Sequence, residues 1–198
     1  MGNRIIPVHI GLPLEDQADA FRYAVQHIEE SDLGFAGIVT LEHFRGSDLI
    51  YQEIGKNVFM TLGRAFIWNV IFGSASKPSA AYLGLFKNDV TPVAGDTASK
   101  LGVGNAYGEC QDADYHPETN RPEYVVVDTS DNEITNAAAK AVFEIQQSFT
   151  ARGAFLVTDQ AKTSTSGTLI AAKRFANSRT VEANDELAVT YKLVATTA

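Results

Sequence analysis

Alternation of apolar and polar residues is clearest in the last third of the chain, residues 140–194. Residues 141–146 alternate with period two, as a strand with one buried face does. Two further β-forming runs, residues 152–157 and 168–175, flank the turn-rich residues 163–167. This order predicts a hairpin.

The closing segment has the strictest alternation. Four residues at every second position form its apolar face: Leu187, Val189, Tyr191 and Leu193. A half-buried antiparallel strand has this pattern. None of these strands carries a catalytic motif, so the pattern favours a structural role for the closing block.

Four other stretches upstream have recognisable character. Residues 34–44, 81–87 and 123–128 have strand composition. In the second of these, both faces are apolar and we expect both to be covered. Residues 88–122 are rich in Gly, Asp, Asn, Thr and Pro, which predicts a long surface loop around one short strand.

Two stretches show helical periodicity instead. Residues 14–31 follow Pro13 and predict an amphipathic helix, with apolar positions at Leu14, Ala18, Phe21, Val25 and Ile28. Residues 54–72 predict a second helix with a broad apolar stripe around Trp68, and such breadth indicates deep packing. Asp48 is a candidate cap before it.

Residues 4–12 predict an extended arm, because β-forming residues are bracketed there by Pro7, Gly11 and Pro13. An apolar arm needs a partner, and two alternatives are open. The arm adds a strand to the protein's own sheet, or it docks on a neighbouring subunit. For the second alternative the partner-binding residues are Arg4, Ile5, Ile6, Val8 and Ile10.

Composition narrows the function classes. The formal net charge of −8 disfavours nucleic-acid binding, which needs a basic surface. Cys110 is the only cysteine, which excludes an intramolecular disulfide and fits folding in a reducing cytosol. Residues 1–10 lack signal-peptide architecture, and the apolar run 58–72 is too short to cross a bilayer, so we expect neither secretion nor a membrane segment.

The sequence contains only weak candidates for a metal or catalytic site. Asp112, Asp114, His116 and Glu118 alternate and would share one side of an extended segment, where they could meet a cation. They lack the glycine and the terminal glutamate of an EF-hand loop, so we expect a solvated acidic loop and no metal.

Other motifs also fall short of an active site. The glycine-rich residues 101–108 lack the Lys-Ser/Thr pair of a phosphate-binding loop, which favours a flexible surface loop. His27 and the Glu42–His43 pair match no zinc-protease spacing, and Cys110 has no activating pattern. We therefore expect neither enzymatic activity nor a cofactor.

Four motifs resemble a diffuse group of tailed-bacteriophage virion proteins. They are TyrLeuGlyLeuPhe (82–86), IleThrAsnAlaAlaAla (134–139), GlyThrLeuIleAlaAlaLysArgPhe (167–175) and ArgThrValGluAlaAsnAspGluLeuAlaValThrTyrLysLeu (179–193). The resemblance covers roughly residues 80–194. The usual Gly-Asp turn before the last strand reads Asn-Asp here, at residues 184–185, and Asn tolerates the same left-handed backbone.

The resemblance implies a non-enzymatic virion protein, most simply a capsid cement or decoration subunit that binds the major capsid protein. It would assemble as a homo-trimer or homo-dimer and pass through the host cytoplasm before joining the virion. A tail or neck component is one alternative. A carbohydrate-binding module is another, with Tyr82, Tyr107, Tyr115 and Tyr124 as sugar-stacking faces.

The expected fold is mainly β: an antiparallel β-sandwich, jelly-roll-like, with an N-terminal arm and two α-helices. Residues 1–79 would form the arm and helical extension, and residues 80–198 the sandwich domain.

Overall fold

The computed structural model describes residues 34–116 and 119–196. Within these ranges the chain is mainly β, with ten strands and one α-helix. The elements in chain order are β1 (Gly34–Arg45), β2 (Asp48–Lys56), β3 (Val58–Phe59), α1 (Thr61–Ile71), β4 (Tyr82–Phe86), β5 (Tyr115–His116), β6 (Glu133–Thr135), β7 (Ala141–Ile145), β8 (Phe149–Val157), β9 (Leu169–Val181) and β10 (Asp185–Thr196).

The larger sheet has the order β2-β1-β10-β7-β5, with β6 pairing separately with β10. Strands β1 and β10 are antiparallel over twelve residue pairs, from Gly34–Thr196 to Arg45–Asp185. Alternation predicted the last strand correctly, since Leu187, Val189 and Tyr191 are all fully buried. The longest pairing in the sheet therefore joins an early strand of the chain to its final strand.

The smaller sheet has the order β3-β9-β8-β4, and its neighbouring strands are antiparallel. Strands β8 and β9 form the predicted hairpin. Strand β4 is also confirmed, and both of its faces are covered as expected. Leu83 and Leu85 contribute to the main core, whereas Phe86 belongs to a second cluster.

Two hydrophobic clusters organise the packing. The main cluster takes side chains from both sheets, for example Leu41 and Phe143 from the larger and Leu156 from the smaller. The second cluster includes Phe155 of the smaller sheet and Tyr107 of the long loop. The loop of residues 88–122 thus contributes to the core, around the one short strand β5 that the sequence predicted.

The second predicted helix, residues 54–72, is confirmed only in its later part, α1. Helical structure does not begin near residue 54, because Ile54 pairs with Thr40 in the sheet and the helix starts only after Met60. Asp48 begins β2 and caps no helix. Pairing with β1 and β9 overrides the local helical periodicity of residues 54–60.

The strand predicted at residues 123–128 is also absent. Only Glu123 forms an isolated bridge, to Tyr82. Val125 and Val127 are 46% and 73% exposed, whereas Val126 between them packs against the main cluster. Tyr124 is also buried, and its hydroxyl lies 3.1 and 3.0 Å from the carbonyl oxygens of Ile134 and Tyr191, within hydrogen-bond distance of both.

The predicted helix 14–31 and the arm 4–12 lie outside the described residues. Strands from both predicted parts of the chain, residues 1–79 and residues 80–198, pair in the two sheets. The division into those two parts remains a prediction about which units fold independently.

Candidate interaction surfaces and polar clusters

Strand β2 forms one edge of the larger sheet. It pairs with β1 on one side, and within residues 34–116 and 119–196 no strand pairs with its other side. Near the start of this nine-residue strand, Leu49 and Ile50 are 43% and 45% exposed. An edge with unpaired backbone groups and exposed apolar side chains can accept an added strand.

Helix α1 presents an exposed apolar surface. Gly63 is its one buried residue, and a Cβ built there would lie 2.5 Å from the carbonyl oxygen of Ile170. The helix therefore approaches β9 closely through glycine, and Ile67 packs against the main cluster, whereas Leu62, Trp68 and Ile71 are exposed. The breadth of the apolar stripe predicted deep packing, and this holds on the Gly63 side of the helix only.

Three aromatic rings, those of Phe35, Trp68 and Phe72, lie side by side at this surface. The Trp68 ring lies 5.2 Å from the Phe35 ring and 5.7 Å from the Phe72 ring, measured between centroids. Phe72 is 78% exposed and Trp68 is 39% exposed. We call Leu62, Ala65, Trp68, Ile71 and Phe72 the α1 face.

A polar cluster lies between the two sheets near β2. His43 is fully buried, and its Nε2 lies 2.9 Å from Oδ2 of Asp185. Its Nδ1 lies 3.3 Å from Nη2 of Arg179. Because arginine can only donate, Nδ1 must accept and Nε2–H must donate to the carboxylate. Both ring nitrogens are thus occupied by the protein itself.

Asp185 is the most heavily bonded carboxylate of this cluster. Arg45 donates from Nε at 2.8 Å and from Nη2 at 3.0 Å, and the backbone N–H of Glu182 donates at 2.9 Å. The bond from Arg45, together with those from Glu182 and His43, outweighs burial and holds the pKa of Asp185 well below its usual range.

The same cluster continues along β2 to β9. Lys173 Nζ lies 2.8 Å from Glu53 Oε1, and both side chains are nearly buried. Tyr51 donates to Glu53 Oε2 at 2.9 Å, and the Arg179 guanidinium lies 3.9 Å from the centre of the Tyr51 ring. These contacts join the two sheets where apolar side chains would otherwise meet.

The sequence pair Glu42–His43 does not form a joint site. Consecutive strand residues point to opposite faces. His43 faces the inter-sheet cluster, whereas Glu42 accepts from Lys140 Nζ at 2.6 Å. His27 lies outside the described residues.

A second buried charge pair, Glu109 and Arg121, connects loops next to the smaller sheet. The Arg121 guanidinium donates to both carboxylate oxygens of Glu109, at 2.7 and 2.8 Å. It also donates to the carbonyl oxygens of Asp159 and Ser164, at 2.6 and 3.0 Å. Burial raises the pKa of Glu109, and Arg121 offsets part of that rise.

The acidic loop is arranged differently from the predicted extended segment. Residues 112–114 form a turn, and each aspartate faces a lysine: Asp114 lies 2.7 Å from Lys87 Nζ, and Asp112 lies 3.8 Å from Lys162 Nζ. Glu118 lies outside the described residues. Within the described residues no group of three or more potential ligands is placed to hold a metal ion.

Two other candidate sites from the sequence, the glycine-rich loop and Cys110, are partly or fully buried. The glycine-rich residues 101–108, expected to be a flexible surface loop, include fully buried Leu101 and Tyr107. Burial raises the pKa of the Cys110 thiol well above its ordinary value, which opposes nucleophilic reactivity.

The proposed sugar-stacking tyrosines do not form a surface. Tyr107 and Tyr115 are fully buried, and Tyr124 is 8% exposed. Only Tyr82 among the four is partly exposed. These four tyrosines therefore form no sugar-stacking platform.

One polar cavity of about 280 Å³ lies beside an irregular stretch of β9. Arg152 and Arg174 line it. Both guanidinium groups face Asp89, at 3.6 and 2.6 Å, so their charge is partly compensated within the chain.

The sequence did not single out the β2 edge or the two charge clusters. Their partners are far apart along the chain, 142 residues for His43 and Asp185, so no local spacing indicates them. The predicted partner-binding residues Arg4, Ile5, Ile6, Val8 and Ile10 lie outside the described residues. No described helix is long and apolar enough to span a bilayer. No protein-family model, curated protein or solved structure matches the chain.

Proposed function

We propose that the chain is a non-enzymatic structural subunit of a tailed-bacteriophage virion, a cement or decoration protein that binds the major capsid protein. In this proposal the two sheets form a jelly-roll-like antiparallel β-sandwich, extended by an N-terminal arm and two helices. The observation that carries the proposal is the outer edge of β2, with which no other strand of the described residues pairs. The motif resemblance over residues 80–194 supports the choice of particle.

The edge and the arm are suited to each other. Ile6, Val8 and Ile10 occupy alternate positions, so one side of an extended arm would be apolar. The arm of residues 4–12 spans about 30 Å when extended, the same length as the nine-residue β2. Pro7 is tolerated in an added edge strand if its nitrogen faces away from β2. The arm of one copy would therefore pair with β2 of a neighbour.

This mode of contact explains why the subunit would form homo-oligomers, a trimer or a dimer, on the shell. Each added strand contributes backbone hydrogen bonds and burial of Ile and Val side chains. Repeated copies on one particle convert a modest site into firm attachment, because later contacts form at high effective concentration. Binding to the assembled shell then stabilises it by mass action.

The polar clusters support a non-enzymatic role. His43 has both ring nitrogens occupied, and Glu109 and Arg121 satisfy each other in the interior. Such groups stabilise a fold and present no free acid, base or nucleophile to a substrate.

The test is cryo-electron microscopy of virions from a phage that encodes this chain with a labelled C-terminus. We expect label over the capsid shell, at junctions between capsomers, in copies that touch one another. Label confined to the tail or neck would establish the alternative location and overturn the cement proposal. Virions without the chain would overturn the virion proposal as a whole.

A further inference from the structure

The α1 face has the composition of a core but lies at the surface. Leu62, Trp68, Ile71 and Phe72 are 56%, 39%, 57% and 78% exposed. Leu62, Ala65, Trp68 and Phe72 recur at spacings of three or four residues, so they form one stripe along the helix. Contiguous exposed apolar surface of this kind marks a docking site.

The described chain starts beside this surface. Phe35, two residues into the described region, packs its ring 5.2 Å from the Trp68 ring and 6.1 Å from the Phe59 ring. Strand β1 therefore begins next to α1. Thirty-three residues precede Gly34, and the predicted helix 14–31 makes up more than half of them.

The short connection to Phe35 keeps the end of the predicted helix within reach of the α1 face. Only residues 32–34 separate Ser31 from Phe35, and three residues extend at most about 11 Å. A helix of eighteen residues is about 27 Å long, whereas the eleven residues of α1 span about 16 Å. The preceding helix is long enough to cover the whole face, and its tether keeps it at high effective concentration there.

The charges and the apolar patterns of α1 and of residues 14–31 also favour contact between them. Arg64 is the only charged residue of α1, and it is exposed. Residues 14–31 contain five acids, Glu15, Asp16, Asp19, Glu29 and Glu30, against the single basic Arg22. Their apolar positions, including Phe21, Val25 and Ile28, recur at helical spacing and need a partner.

We infer that the apolar side of the helix predicted at residues 14–31 docks on the α1 face of its own chain. The two helices then cover Trp68 and Phe72 and form an added layer beside the smaller sheet. This inference does not depend on the virion proposal. It assigns the helix an intramolecular site and leaves residues 1–12 available for contact with another subunit.

Trp68 is the only tryptophan, so emission excited selectively in tryptophan, and not in the seven tyrosines, reports this site alone. The first experiment compares acrylamide quenching and emission of the full chain with those of Val25→Asp. We expect Val25→Asp to shift Trp68 emission to longer wavelength and to increase its quenching. His27→Asp is the matched control, because residue 27 lies about 160° around the predicted helix from Val25, on its polar side, and a charge added there should leave both readouts unchanged.

Equal effects of the two substitutions would overturn the inference, as would no effect of Val25→Asp. Thermal unfolding of each variant, followed by circular dichroism, shows whether the sheets remain folded. If Val25→Asp unfolds the whole chain, amide hydrogen exchange of the unmodified protein tests the inference instead. Protection of amides in both 14–31 and 61–72 supports docking, and exchange of 14–31 at unfolded-chain rates overturns it.

Dilution separates the chain's own helix from that of a second copy. Docking within one chain makes Trp68 quenching independent of protein concentration. If protection is lost on dilution below the dissociation constant of an oligomer, a second copy covers the face and the inference is wrong.

Discussion

At the scale of single residues, two phenylalanine rings and two glycines lock β4 to β8. The register places Gly84 opposite Phe155 and Phe86 opposite Gly153. A Cβ built on Gly84 would lie 2.2 Å from Phe155 Cζ, and one on Gly153 would lie 2.1 Å from Phe86 Cζ. Each ring therefore lies over the glycine of the opposite strand, an arrangement that compensates for glycine within a sheet.

We predict that Gly153→Ala destabilises the fold more than Gly84→Ala. The new methyl group at 153 would also meet the backbone carbonyl oxygen of Lys173 at 2.3 Å, which cannot rotate away as a ring can. Overpacking in a core costs about 1–3 kcal/mol, and we expect Gly153→Ala near the upper end. Urea unfolding monitored by circular dichroism measures the difference.

Gly95→Ala provides the control, because no atom lies within 4 Å of a Cβ built there. Its free energy of unfolding should match that of the unmodified chain. A Gly153→Ala variant as stable as Gly95→Ala would show that the rings do not hold the two strands at this spacing.

At the scale of elements, the Glu109–Arg121 pair connects three loops. Arg121 bonds to Glu109 and to the carbonyl oxygens of Asp159 and Ser164, while the backbone N–H of Thr163 donates to Glu109 at 3.0 Å. Thr163 has a φ of 60°, a left-handed conformation that is unusual for a β-branched residue. These bonds fix the loops against the outer side of the smaller sheet.

We predict that Arg121→Met lowers the free energy of unfolding by about 3–5 kcal/mol, because it leaves a buried carboxylate without its partner. Replacing both groups, with Glu109→Leu added to Arg121→Met, should restore part of that loss. Chemical denaturation of the single and double variants measures the coupling.

Arg152→Met is the matched control. Arg152 and Asp89 form a partly exposed pair at 3.6 Å, for which a loss below about 1 kcal/mol is expected. If Arg121→Met costs no more than Arg152→Met, the buried pair contributes little to stability.

The sequence predicted elements best where one face of a strand is buried. Alternation identified β7 and β10, in which side-chain burial has a period near two, and the continuous apolar run at residues 81–87 identified β4, which is covered on both faces. Asn184, expected to tolerate a left-handed turn, has a φ of 71°. These features depend on local chemistry alone.

The remaining features depend on distant partners. Residues 54–56 belong to a strand because β1 pairs with them, although their local spacing suggested a helix. The exposure of the α1 face could not be predicted, since apolar periodicity shows that a helix has an apolar side and not what covers that side. The inter-sheet cluster around His43 likewise needs the fold to bring β1, β9 and β10 together.

At the scale of the whole molecule, paired carboxylates make stability depend on pH. Bonds from Arg45, Glu182 and His43 lower the pKa of Asp185. For Asp96 and Asp114, burial raises the pKa, but hydrogen bonds led by those from Lys100 and Lys87 outweigh it, and both values are lowered. The unfolded chain therefore binds these protons more readily than the folded chain does.

The resulting stability is complete above the unfolded pKa of aspartate, about 3.9, and is lost as the pH falls toward the lower folded values. We predict that the free energy of unfolding decreases below about pH 4. Asp185→Asn should be less stable at neutral pH and should lose less on acidification. Urea unfolding over a pH series tests this.

Asp131→Asn is the control, because it removes the same charge from an exposed loop residue. Its acid-dependent loss should follow that of the unmodified chain. An unchanged pH dependence in Asp185→Asn would show that the Asp185 bonds do not contribute to acid sensitivity.

In the proposed assembly, the N-terminal arm would connect one molecule to the next. We predict that deletion of residues 1–12 leaves thermal unfolding unchanged and lowers both self-association and attachment to the particle. The physical reason is that Ile6, Val8 and Ile10 would bury apolar surface only on a neighbour's β2, at about 1.5–3 kcal/mol for each side chain before ordering costs. Differential scanning calorimetry and sedimentation velocity measure the two effects.

Ile50→Lys tests the receiving edge of the same contact, since a lysine on an edge strand opposes pairing with another strand. It should weaken self-association as the deletion does. Val127→Lys, at a residue 73% exposed and outside the two sheets, should not. If the deletion instead lowers the unfolding temperature strongly while self-association persists, the arm pairs with its own sheet, and the contact between subunits must be formed by another part of the chain.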